Sequence, residues 1–507
     1  MGAQTIIWIT VAVYIAFIVA VSVINKKRSK SMTDFAVGGR SAGGWASALS
    51  YGTAYFSAVM FIGYSGGTGW KYGLWAVLPG IGNAIFGSLL AWLVLANRTR
   101  AVTRELKIKS MPQFFDKRFS SPAMKMFCMA VVFIFLIPYS ASVYKGLTSV
   151  CSVLLGVNET ICMIVIALVS LAVVVLGGYA AALKADFIQG IVMIVGVAVL
   201  IVSIIRCQQV NGLEAGIAAI REKTQALELG PVQHISLWAT VLMTSFGTWG
   251  LPQMIHKYYG IRDNKEVKRG TVVSTFFAFV VAGGGYFIGS LSRLFFNDAN
   301  ALGGTDYLVP NMLSQANLSS ILLGVVLVLL IAASVSTLSS ITITASSTIT
   351  MDFVKPKIFP NFDGVKTAWV SRIISVIFIV LSYLIANSDT PILDMMSYSW
   401  GIISGSFLAP YALSLYFKKL NKAGAWAGMI GGFVVALPPV ICKLFANDVT
   451  LSAFGLDFGK VMDMGAHFAC LSMIVSIILC VVVSLITSKT KQSSEEYTKF
   501  YEAIKVK

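Results

Sequence analysis

The chain has 507 residues, 57% of them hydrophobic and only 12% charged, against about 25% charged in a soluble globular protein. That composition excludes a water-soluble enzyme or binding module and marks a polytopic membrane protein. A formal net charge of +17 would suit a nucleic-acid binder if it were clustered, but the bases fall in short loops between apolar runs and so report topology.

A membrane-crossing helix needs about 20 apolar residues, and on that template the chain reads as all-α with about thirteen transmembrane spans. They lie near 5–25, 45–66, 74–96, 123–153, 159–181, 186–206, 236–256, 271–294, 318–346, 367–387, 391–417, 423–444 and 466–487. No small-residue cleavage site follows the first, so it is expected to stay. Bases gather after span 1 (Lys26, Lys27, Arg28, Lys30, Arg40), span 3 (Arg98 to Arg118) and span 7 (Lys257, Arg262, Lys265, Lys268, Arg269). They gather again after spans 9 and 11 and in the tail, at Lys489, Lys491, Lys499, Lys505 and Lys507. By the positive-inside rule the N-terminus is outside and the C-terminus cytoplasmic, as an odd number of spans requires. The polar stretches 207–235 and 488–507 are too short for a soluble core. Glu495 to Lys499 reads as a solvated charged end, with a short surface helix as the alternative.

Three spans carry more polarity than a lipid-facing helix has reason to. In span 2, Ser50-Tyr51-Gly52-Thr53-Ala54-Tyr55-Phe56-Ser57 is followed by Gly63, Gly66 and Gly67. In span 7, Thr244-Ser245-Phe246-Gly247-Thr248-Trp249-Gly250-Leu251-Pro252 is interrupted in the same way, five spans later. Irregular backbone at membrane depth is tolerated where it is buried in protein or lines a cavity. Paired interruptions in corresponding positions point to an inverted-repeat transporter with a central site. Span 9 carries Ala332-Ala333-Ser334-Val335-Ser336-Thr337-Leu338-Ser339-Ser340, too many hydroxyls for lipid. Most such hydroxyls bond across helix contacts, but Ser336 and Thr337 facing the span-2 break would form a hard-oxygen cation site, by analogy with Ca²⁺ and Mg²⁺ ligation. Two charges stand out beside these. Lys145, inside span 4, reads either as a counter-ion for a substrate carboxylate or as a base snorkelling to the interface. Asp186, with Lys184 at the start of span 6, reads as a gate or as an ordinary helix-start charge. Gly285 and Gly289 in span 8 have the spacing of close helix packing. The seven cysteines and three histidines form no metal-like cluster, and no Walker loop, triad or paired carboxylate supports an ATP-driven pump or an enzyme.

These stretches resemble the sodium:solute symporter family. The likeness runs along essentially the whole chain through TDFAVGGRSAGG (33–44), ALSYGTAYFS (48–57), GGYAAALKADFIQG (177–190), AASVSTLSS (332–340), SYSWGIISGSFLAP (397–410) and SLYFKKLNKAGAWAGMIGG (414–432). The resemblance implies a LeuT-like fold of two inverted five-helix repeats, 45–206 and 207–417, after an N-terminal extra helix and loop (1–44) and before two C-terminal helices and a tail (418–507). It maps a sodium site onto the carbonyls of Thr53, Phe56 and Ala333 and the hydroxyls of Ser336 and Thr337. Substrate would lie between the breaks, with Tyr55, Ser57, Thr244, Thr248, Trp249 and Lys145 around it, and Tyr139 matches a position that touches substrate. Asp186 and Pro252 would serve the gates.

Motifs similar to both the bacterial proline and the pantothenate symporters imply a small carboxylate-bearing solute. Tyr55 stands where the proline symporters have Asp. The function implied is sodium-coupled import across the cell membrane by alternating access, with solute, sodium and the bilayer as partners and no protein partner evident. The alternatives are a proton-coupled or sodium-independent carrier and a transporter-fold sensor. No basic residue is evident near Ser336 and Thr337 to replace the ion.

Overall fold

The computed structural model describes residues 3–25, 32–37, 40–388, 390–487 and 495–505. Lys26, Lys27, Arg28, Lys30, Gly38, Gly39, Lys489, Lys491 and Lys507 lie outside the described residues. The first membrane helix is α1 (Ala3–Asn25). The next, α2 (Gly44–Tyr55), is only 12 residues long because Phe56 leaves helical geometry at φ −108°, ψ 100°. The chain resumes in π-helical Val59–Tyr64 and continues as α3 (Ser65–Tyr72). Gly73 then turns it at φ 57°, a conformation that suits glycine. The third span follows as α4 (Val77–Gly82), π-helical Asn83–Leu90 and Trp92–Ala96, and α5 (Asn97–Glu105).

Helix α6 (Met111–Phe119) leads to α7 (Pro122–Leu155), and α8 (Glu159–Leu176) meets α9 (Ala181–Ile205) across a kink at Gly178, φ 60°. Span 7 is likewise two pieces, α10 (Pro231–Phe246) and α11 (Pro252–Tyr259), joined by a single 3-10 turn. Proline at the first position of α11 is placed where its missing N–H costs nothing. There follow α12 (Asn264–Leu294), α13 (Ser320–Ile358), α14 (Gly364–Ala386), α15 (Ile392–Tyr416), α16 (Lys422–Phe445), α17 (Gly465–Ile486) and α18 (Glu495–Lys505). A two-stranded hairpin, β1 (Thr450–Ala453) and β2 (Leu456–Lys460), links α16 to α17.

Among the described residues, ten helices are long and apolar enough to cross a membrane. The broken segments α2 and α10–α11 and the polar α15 complete the expected thirteen. What shortens or dilutes these three is the glycine, proline and hydroxyl content that the sequence marks as unusual.

The basic loops gather at one end of the bundle. Arg40 donates to the carbonyls of Thr103 and Ile108 (both 2.8 Å), Arg104 to that of Arg40 (3.0 Å), and the Ala42 N–H to the Gly260 carbonyl (3.0 Å). Glu495 to Lys499 open a helix, with Thr498 and Lys499 exposed, and the residues that follow dock on the bundle. Phe500 is fully buried with its ring 5.4 Å from that of Phe114, and Arg118 donates to the Tyr501 hydroxyl at 3.0 Å. Burying one such ring stabilises by about 1.5–3 kcal/mol, which is why this amphipathic helix docks.

Candidate functional site

Helix α2 stops in mid-bundle, so its last carbonyls lack intrahelical partners. Residues three and four apart share a helix face, and α13 turns Ala333, Ser336 and Thr337 toward that end. The Thr337 hydroxyl lies 3.0 Å from both the Thr53 and the Ala333 carbonyls. The Ser336 hydroxyl is 2.8 Å from Thr53 Oγ1 and 2.5 Å from Asp186 Oδ1. Four of the five residues mapped as a sodium site therefore meet, with Phe56 at the adjoining break. All are buried, and an all-oxygen donor set of hydroxyls, carbonyls and one carboxylate fits a small hard cation.

Asp186 lies inside this assembly, not at a solvated helix start. By hydropathy span 7 ends at residue 256, and Lys257 counts among the loop bases. In the structure α11 continues to Tyr259 and carries Lys257 into the bundle, 3% exposed. Its ammonium donates to Ser50 Oγ and Ser340 Oγ, both at 2.8 Å, and pairs with Asp186 Oδ2 at 3.3 Å. A basic residue does stand beside Ser336 and Thr337, contrary to the sequence expectation. The missed signal is an H-K-Y-Y stretch with two aromatics after the base, unusual for a solvated loop.

Tyr55 points the other way from Thr53. Its hydroxyl donates to the Thr244 carbonyl at 2.5 Å, its ring stacks on Phe56 with centroids 4.1 Å apart, and Trp400 lies at 6.1 Å. Tyr139 meets the same Trp400 edge-on at 5.6 Å. Among the described residues, neither the Tyr139 hydroxyl nor Trp400 Nε1 of this aromatic cleft makes a hydrogen bond to a third residue.

Thr248 Oγ1 lies 3.0 Å from the Ser245 carbonyl and 3.3 Å from that of Gly87, and Trp249 Nε1 donates to the Phe86 carbonyl at 3.0 Å. Thr244 Oγ1 bonds back to the Thr240 carbonyl at 2.8 Å. The π-helical stretch of span 3 thus carries the counterpart of the span-7 break, a part the sequence reading did not single out. Asn83, its amide nitrogen turned toward them, reaches Thr244 Oγ1 at 2.9 Å and the Tyr55 hydroxyl at 3.2 Å. At Gly87 a Cβ would lie 2.1 Å from that hydroxyl. Ser57 Oγ accepts from the Val59 N–H at 3.2 Å and starts the π-helix, while Pro252 begins α11.

Lys145 is not drawn into this cleft. Its ammonium donates to the carbonyls of Ser388 (3.0 Å) and Thr390 (2.9 Å), just before α15 at the end opposite the basic loops. Asp306 is close by, accepting from the Ile392 N–H at 3.2 Å. Burial pushes the Asp306 carboxyl up from its ordinary range, opposed by that N–H and by Lys145.

A profile of the sodium:solute symporter family matches residues 35–432. The chain belongs to the sodium:solute symporter family. Among curated relatives of this family member, the sodium/proline symporter of Haemophilus influenzae is 25% identical over 96% of this chain and 95% of its own. The high-affinity proline transporter PutP of Bacillus subtilis is 26% identical, over 80% and 86%. A solved Na⁺-coupled sialic acid symporter in a substrate-bound outward-open state superposes with a TM-score of 0.76 at 18% identity, covering 95% of this chain and 97% of that one. Mhp1, a nucleobase-cation-symport-1 family transporter, gives 0.57 at 12% identity, covering 94% and 99%. The fold is LeuT-like, and family membership makes the chain a membrane transporter and not an enzyme.

Proposed function

We propose that this protein couples inward sodium flow to the uptake of a small carboxylate-bearing solute, an amino acid such as proline or a compound such as pantothenate, by alternating access. The observation that carries the reading is the oxygen cluster joining α2 to α13 through Thr53, Ala333, Ser336 and Thr337, with the carbonyl end of α2 at Phe56 beside it. An ion held there bridges one element of 45–206 and one of 207–417, read as the two inverted repeats. Its binding energy then differs between states in which these elements are close or apart, which is what coupling requires. One charge crossing 100 mV releases about 2.3 kcal/mol, enough for appreciable accumulation.

Solute is placed in the cleft of Tyr55, Tyr139 and Trp400, bordered by Thr244, Thr248, Trp249 and Ser57. The names of the curated relatives favour proline. Tyr55, in place of the Asp found in the proline symporters, favours a different shape at that wall. Lys145 enters as a clamp on the outer loops that approaches solute only if Ser388 and Thr390 release it. Asp186 and Pro252 are read as parts of the inner gate and the hinge of α11.

One observation favours a second reading. The Lys257 ammonium beside Ser340 gives a sodium-independent carrier a physical basis. Uptake of labelled L-proline and pantothenate into proteoliposomes, with an inward sodium gradient or with choline, separates the two. Sodium-dependent accumulation is expected. Thr337→Ala is expected to raise the sodium concentration for half-maximal uptake at least tenfold, a loss of about 1.4 kcal/mol. Uptake indifferent to sodium in the wild type overturns the coupling.

A further inference from the structure

We infer that Lys257 is a tethered cation: its ammonium fills a second oxygen cluster that, without it, would take a mobile sodium ion. The cluster is built from three elements besides α11. Ser50 of α2 and Ser340 of α13 each face the ammonium at 2.8 Å, and Asp186 of α9 lies at 3.3 Å. Ser50 also bonds to Asp186 Oδ2, and the Tyr179 ring centroid is 5.6 Å from the ammonium. Ser339 Oγ, on the same helix as Ser340, is buried with no hydrogen-bond partner among the described residues.

A carboxylate as buried as Asp186, 1% exposed, needs a positive partner, because an unpaired buried charge costs several kcal/mol. Lys257 supplies it from within the chain. An ammonium and a sodium ion carry the same charge and are both met by oxygen lone pairs, the ammonium through donated N–H bonds and the ion through direct coordination, so the tethered group can stand where a mobile ion would. The two clusters share Ser336, whose hydroxyl touches Thr53 on one side and Asp186 on the other. One mobile and one fixed positive charge would then flank a single hydroxyl. The consequence is a lower ion count: Lys257 sets how many sodium ions accompany each solute. The first ion of that count rests on the reading of Thr53, Ala333, Ser336 and Thr337 given above, whereas the second does not.

The test is equilibrium dialysis of the purified full-length chain with radiolabelled sodium, for wild type, Lys257→Met and Lys257→Met/Asp186→Asn. Lys257→Met is expected to bind one sodium ion more per chain than wild type, and the double variant no more than wild type, because the carboxylate that both Ser336 and Ser50 touch is gone. If wild type binds none and Lys257→Met binds one, the tethered-cation inference stands and the primary sodium site falls. An equal count in wild type and Lys257→Met overturns the inference. So does a wild type that already binds two, since both clusters would then be open to mobile ions. Removing the ammonium can also prevent folding. If Lys257→Met cannot be recovered even in high sodium while the double variant can, sodium does not replace the ammonium and the inference is again overturned.

Discussion

Lys145 shows how a charged residue in an apolar span takes its meaning from what its head group reaches. From sequence alone it had two roles, and its ammonium is now seen to hold two loop carbonyls, Ser388 and Thr390. Hydrogen bonds to charged groups contribute about 1.5–3 kcal/mol when buried, and less at a partly exposed site. Lys145→Met should therefore lower the melting temperature of the purified protein by a few degrees while leaving the KM for solute within about twofold of wild type. A KM raised tenfold with unchanged melting would return Lys145 to the substrate cleft. Lys257 is the opposite case. It lies in a row of bases that ends in solvated residues, Arg262 in the loop and Arg269 near the start of α12, both more than half exposed along their side chains. Locally only the pair Tyr258-Tyr259 that follows it separates it from them. Its partner Asp186 is 71 positions away, and only the fold brings the pair together. Hydroxyls on one helix face were legible for the same reason that Lys257 was not: Ser336 and Thr337 lie on one element, and their periodicity is written in the chain.

At the level of elements, hydropathy located the continuous helices and glycine located the breaks, because both are local properties. Boundaries were less legible: three residues more on α11 decide whether Lys257 is solvated or buried. The span-3 wall was missed since Asn83 and Gly87 sit in an otherwise ordinary apolar run. Their role comes from the π-helical backbone around them and from Tyr55 across the cleft. Helix α12 carries a glycine signal that the structure makes specific. A Cβ at Gly289 would lie 2.1 Å from the Ser65 carbonyl oxygen, and one at Gly69 would lie 2.2 Å from that of Gly289, so α3 and α12 touch backbone to backbone. Six residues earlier, a Cβ added at Gly283 would meet nothing within 4 Å. Overpacking of this kind costs about 1–3 kcal/mol. Gly289→Ala should thus lower the melting temperature by several degrees and reduce the monodisperse fraction on gel filtration, whereas Gly283→Ala should change neither. Equal melting for the two variants would mean that the helices part without cost.

For the whole molecule the open matter is which end faces the cytoplasm. Thirteen crossings put the two termini on opposite sides. Arg40, Arg104 in the last turn of α5 and the loop that carries Arg262 converge on one end, where the docked α18 also lies against Phe114 and Arg118. The positive-inside rule assigns that end to the cytoplasm. In a bacterial host, green fluorescent protein fused after Lys507 should then fluoresce. Alkaline phosphatase inserted in the helix Leu213–Gln225, which packs at the other end through Thr224 and Leu74, should be active. A dark fusion with an inactive phosphatase would invert the bundle. The assignment matters for mechanism because the Lys257 cluster lies between the Ser336–Thr53 junction and the basic end, since Ser50 precedes Thr53 by one turn on α2 and α11 runs on to the basic loops at Gly260. With the basic end inside, the ion pair Lys257–Asp186 lies on the inward side of the proposed sodium site and is proposed to close that exit when formed. Sodium entering from outside would then meet a fixed positive charge directly beyond its site, and release inward would require α2, α9 and α11 to part together.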